Sequence, residues 1–142
     1  MATGTTARPA LQAQRGGLLR RALRADAVVA LALGVALILG AVPLAAVTGI
    51  GAIALEVMGV VSLLYGGWIF WSLQRNPGGY TLPVIVIALN VAWVLGSALL
   101  VFTDLVPLTT EGKWMIVLAA DVGLILAAVE FYALRRARAS VT

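Results

Sequence analysis

Four long apolar runs, separated by short polar or glycine- and proline-rich breaks, organise this chain. They cover Ala27 to about Val47, Ala52 to Gln74, Tyr80 to Phe102, and Trp114 to Leu134. Each holds about 20 residues, which at 1.5 Å per residue matches a hydrocarbon core about 30 Å thick. The pattern predicts four transmembrane helices. The first run is too long for the roughly 7–15-residue core of a signal peptide, so it reads as a permanent span. Thr48-Gly49-Ile50-Gly51 is uncharged and short, which forces the second helix back antiparallel beside the first. Arg75-Asn76-Pro77-Gly78-Gly79 is a turn by composition, and Asp104 to Gly112, DLVPLTTEG, is the longest polar connection. Residues 1–17 read as a flexible basic tail, residues 18–138 as one four-helix domain, and residues 139–142 as a second tail. Leu18 to Asp26, with Arg20, Arg21 and Arg24, reads as the positive flank of the first span, lying in the headgroup layer.

Spacing within the runs predicts the packing faces. Gly59, Ser62 and Gly66 make one small-residue strip, Ala88, Ala92 and Gly96 a second, and Ala119, Gly123 and Ala127 a third. Small side chains let helix backbones approach closely in lipid. Asn90, Trp93 and Ser97 form a separate, polar-tipped face of the third span. The expected fold is all-α, an integral membrane four-helix bundle with antiparallel neighbours. The halves also echo each other. Gly59 and Gly123 each stand sixteen residues after a proline, Pro43 or Pro107, and Glu56 and Asp121 stand thirteen and fourteen residues after the same prolines. This reads either as a 2+2 hairpin repeat or as coincidence between spans built from the same few residue types.

Composition narrows the chemistry. The 142 residues are 62% hydrophobic and 11% charged, with a mean hydropathy of +1.04, against roughly 25% charged residues in soluble domains. There is no cysteine and no histidine, which excludes disulfides, thiolate or imidazole metal sites and His-ligated haem. Only carboxylates could hold a metal, and neither a metal site, a cofactor nor a nucleophile-base pair is visible, so no enzyme is expected. Ten basic and six acidic residues give a net charge of +4. The basic residues flank the spans, so they point to anionic headgroups and not to nucleic acid. With both termini and the Arg75 turn in the cytoplasm, nine of the ten basic residues lie inside and only Lys113 outside, in line with the positive-inside rule. The expected location is a bacterial inner membrane.

Four residues are candidates for binding or transport: Glu56, Asn90, Trp93 and Asp121. A carboxylate at mid-span is unfavourable by roughly 2.5–3.5 kcal/mol on insertion scales, so Asp121 calls for a partner, a proton or a function. Its depth overlaps that of Asn90 on the neighbouring antiparallel span, and an Asn90–Asp121 hydrogen bond is the simplest way to satisfy both. Glu56 lies shallower, within reach of the outer interface or Lys113; alternatively it faces Asp121 across a shared proton or cation site. Trp93 stands at mid-membrane, in the core or on a pocket wall. Glu130 is expected to pair with arginines at the inner interface, and Asp26 to start the first span at the positive end of the helix dipole.

The run Asn90-Val91-Ala92-Trp93-Val94-Leu95-Gly96-Ser97, then Leu108-Thr109, then Val129-Glu130-Phe131-Tyr132-Ala133-Leu134-Arg135-Arg136, resembles a group of small bacterial four-span membrane proteins. That group has an Asn-x-x-Trp motif in the third span and an acidic-aromatic-Tyr ending before terminal arginines. The resemblance implies the fold and carries no activity with it. The leading expectation is a non-enzymatic interaction or accessory component that forms a homodimer or joins a larger membrane complex. The alternative is a small proton-coupled cation carrier or channel using intramembrane carboxylates.

Overall fold

The computed structural model describes residues 7–76, 79–103 and 105–139, and the regular structure among them is helical. Five helices follow one another: α1 (Ala7–Leu39), α2 (Ala41–Thr48), α3 (Ala52–Arg75), α4 (Thr81–Phe102) and α5 (Thr110–Arg138). Four of them are long and apolar enough to cross a membrane: the Gly17–Leu39 part of α1, and α3, α4 and α5.

The first long helix ends at Leu39 and does not run on to about Val47 as expected. Pro43 accounts for its end. A proline has no N–H for the carbonyl four residues back, here Leu39, and its ring crowds that carbonyl. The helix stops at Leu39 and restarts as α2 past Gly40, whose N–H still bonds Ala36 O at 2.9 Å. At the other end the helical backbone continues back to Ala7, through most of the segment expected to be a tail. Residues 1–6 and 140–142, with Pro77, Gly78 and Asp104, lie outside the described residues.

At one end of the molecule, the turn after α2 is clamped to the start of α5. Gly49 closes α2 at φ 79°, a left-handed conformation natural to glycine. The Thr109 N–H donates to Thr48 O at 3.1 Å, and the Thr109 hydroxyl donates to Val47 O. The same hydroxyl oxygen caps α5 by accepting from Gly112 N–H at 2.9 Å. A Cβ on Gly112 would lie 2.3 Å from Thr48 O, so glycine is what permits this approach.

The α1 helix is the hub. It packs extensively along α3 and also against α5, while α4 packs chiefly on α5. The α1–α3 pair is antiparallel and close, with Gly34 against Gly59, and Gly66 against Ala27 and Leu31. Leu19, Leu23 and Ala27 meet Ile69 and Leu73 of α3, Val86 of α4, and Ala133 and Leu134 of α5 in a buried core. Two expected strips, around Gly59 and Gly66 and around Gly123 and Ala127, do face inward. The strip of Ala88, Ala92 and Gly96 faces outward, because α4 turns Pro83, Val86, Asn90 and Ser97 to the interior. The backbone of α3 stays apart from α4 and α5. A wedge is left between them, with α1 as its floor.

Candidate functional site

At the base of this wedge, each of the four spans contributes one polar side chain at the same level. Asp26 (α1), Tyr65 (α3), Asn90 (α4) and Glu130 (α5) are joined at one level by hydrogen bonds. The Tyr65 hydroxyl donates to Asp26 Oδ2 at 2.8 Å. Asn90 Nδ2 donates to the same oxygen at 3.0 Å and to Glu130 Oε2 at 3.4 Å. Asn90 thus bridges two carboxyl groups that sit side by side. Asp26 is 3% exposed, Asn90 7% and Glu130 0%. The second oxygen of Glu130, Oε1, is buried and accepts no hydrogen bond from a donor group among the described residues.

Local register explains why these residues converge. On α1 the buried positions Leu19, Leu23, Asp26, Ala27 and Ala30 recur every three or four residues, so Asp26 belongs to the inward stripe. On α5 Gly123, Ala127, Glu130, Ala133 and Leu134 do the same. Tyr65 follows Ser62 and precedes Ile69 on the face of α3 that turns towards α1.

A cavity of about 450 Å³ rises from this polar base along the wedge, and Asp26, Tyr65, Asn90 and Trp93 line it. Its remaining walls are almost wholly apolar, with Val57 and Val61 from α3, Leu89 from α4 and Val122 from α5 among them. Several of these wall residues are only partly covered by protein, so the wedge opens sideways out of the bundle. Trp93 Cδ1 lies in the space that a Cβ on Gly123 would need, which lets the indole settle against α5 as one wall. The volume falls within the roughly 300–1,000 Å³ range of small-molecule sites, and such sites combine apolar walls with a few convergent polar groups.

The four candidates from the sequence separate into two pairs. Asn90 and Trp93 line the cavity. Glu56 and Asp121 lie on outward faces of α3 and α5, uncovered by protein, and neither lines it. The expected Asn90–Asp121 hydrogen bond is replaced by Asn90 bonds to Asp26 and Glu130. The reason is register. With Trp93 against Gly123, the antiparallel α4–α5 pair brings Asn90 level with residues further along α5, at Glu130. Asp26 and Glu130, expected at a helix start and beside arginines, are instead buried within the bundle and bonded to Asn90. Arginines occupy that end of the bundle instead: Arg20 Nη2 donates to Leu73 O at 3.4 Å, Arg75 lies over Trp71 at 4.4 Å, and Arg138 lies over Tyr80 at 5.8 Å.

Asp26, Tyr65 and Glu130 are the site residues that the sequence reading passed over. The signal for the two carboxylates was present, since each falls in the three-to-four periodicity of its helix's apolar face. Among the described residues, no group of three or more carboxylates gathers as a metal site. Searches against family models, curated proteins and solved structures find no match to this chain.

Proposed function

We propose that this small multi-pass membrane protein binds an amphiphilic molecule in the wedge, taking it from the bilayer through the open side and meeting its polar end at Asp26, Tyr65 and Asn90. The observation that carries this reading is the 450 Å³ cavity, mostly apolar along its walls, with its charged and amide groups gathered at the base. A protein that needed only interhelical glue would close its spans around the polar node. Here the backbone of α3 stands apart from those of α4 and α5 and leaves the wedge open above their shared core. The reading is that of a binding protein or carrier and not an enzyme. The positive-inside rule supports placing both termini in the cytoplasm, as in a bacterial inner membrane.

The test uses Trp93 as reporter, with Phe at Trp68, Trp71 and Trp114, in phosphatidylcholine nanodiscs. A brominated dodecanol should quench Trp93 saturably, and Ala119→Phe, which fills the wedge without adding a second fluorophore, should abolish saturation. Quenching that rises linearly with bilayer concentration, or that survives Ala119→Phe unchanged, refutes the reading.

A second reading, an accessory component within a homodimer or larger membrane complex, draws on Glu56 and Asp121. Both are carboxylates on outward faces of spans, where a partner helix would relieve the cost of exposing them to lipid. Crosslinking in native membranes tests it: Asp121→Leu should weaken an oligomer that depends on that face.

A further inference from the structure

The base of the wedge has too many acceptors for its donors. Asp26 and Glu130 bring four carboxyl oxygens to one buried place. Tyr65 supplies one hydrogen there, and Asn90 Nδ2 supplies those directed at Asp26 and Glu130. Asp26 Oδ2 receives two of these bonds, while Glu130 Oε1 receives none and is wholly buried. A proton held between the two carboxyl groups would relieve their mutual repulsion and leave the pair with one negative charge. In an apolar surround such a charge interacts far more strongly with an opposite charge than it would in water. Trp93, on the cavity wall above, presents an aromatic ring of the kind that attracts cations.

We infer that the wedge selects amphiphiles whose head is a monovalent organic cation, an ammonium or quaternary ammonium group, with an apolar chain lying along α3 and α5. The inference rests on the ligand-binding reading above and names the chemical class that the site takes. The cation seats against Asp26, the carboxylate that lines the cavity. Glu130, bonded through Asn90, stands behind as the second carboxyl group and keeps the node acceptor-rich. The apolar walls exclude small hydrated cations, because nothing along Val57, Val61, Leu89 and Val122 replaces their water. An alkyl chain gains from the same walls.

Three probes with one chain separate the possibilities: dodecyltrimethylammonium, dodecanol and dodecyl sulfate. Each competes against brominated dodecanol for Trp93 in phosphatidylcholine nanodiscs, with empty nanodiscs giving the bilayer concentration of every probe. The cation should displace the brominated probe at least tenfold more effectively than dodecanol, and dodecyl sulfate should be the weakest. In Asp26→Asn the advantage of the cation over dodecanol should fall to less than threefold. Comparison of the three heads on the wild-type chain needs no variant, so a failure of Asp26→Asn to fold does not leave the question undecided. Equal displacement by dodecanol and the ammonium overturns the inference while the wedge remains a binding site. Absence of saturable quenching by the brominated probe itself overturns the underlying reading as well.

Discussion

Replacement of Asn90 by alanine removes the side chain that connects both carboxyl groups, and its cost can be worked from the geometry. Its bond to Asp26 at 3.0 Å is of ordinary length, and its bond to Glu130 at 3.4 Å is long. A hydrogen bond to a charged group contributes about 1.5–3 kcal/mol in soluble proteins, whereas interhelical bonds in membranes average about 0.6 and reach about 1.7 kcal/mol. The bonds alone therefore predict a loss of about 1–3 kcal/mol. Asp26 keeps its bond from Tyr65, but Glu130 loses a donor while wholly buried. A buried polar group left short of a donor loses about 1–3 kcal/mol in desolvation, which places the expected loss for Asn90→Ala towards about 2–4 kcal/mol. Unfolding in bicelles by sodium dodecyl sulfate titration measures it. A double-mutant cycle with Glu130→Gln should return a coupling of about 0.5–3 kcal/mol, because the two side chains share one network. A loss below about 0.5 kcal/mol, with additive single variants, would refute the bridging role of Asn90.

Three further outcomes follow from the same packing. Tyr65→Phe removes one bond to Asp26 and leaves Asn90 in place, so it should cost about 0.5–1.5 kcal/mol in the same titration, less than Asn90→Ala. Gly59→Val forces atoms into Gly34 O and Ile38, where even a Cβ would stand 2.8 and 2.7 Å away. Overpacking of this kind costs about 1–3 kcal/mol or more, and crosslinking between cysteines placed in α1 and α3 should slow as the helices separate. Asp121→Ala, at an outward position, should leave the unfolding free energy of the monomer within about 0.5 kcal/mol of the wild type. A large loss there would show that Asp121 has an interior partner after all.

The hydrophobic pattern by itself determined that the chain is helical, that four segments can cross a bilayer, and where three of those segments lie. Length and apolar composition are properties of each segment alone, so the second, third and fourth spans were legible to within a few residues. The end of the first helix was missed, because the break ahead of Pro43 stops it at Leu39, and Arg20, Arg21 and Arg24 made the residues beside them read as a flank. That reading set Asp26 at the edge of the bundle and not in its buried stripe. It also hid the node that Asp26 forms with Tyr65, Asn90 and Glu130. Asn90 and Trp93 could be singled out from their own helix, since a polar or aromatic group at mid-span is conspicuous without reference to neighbours. Their partners could not, because hydrogen bonding across spans depends on the relative slide and rotation of helices far apart in sequence. Gly34 against Gly59, Trp93 against Gly123, and Gly112 against Thr48 set that slide. Only the tertiary structure decided that Asp26 and Glu130 share the interior with Asn90, and that the wedge beside α3 stays open above them.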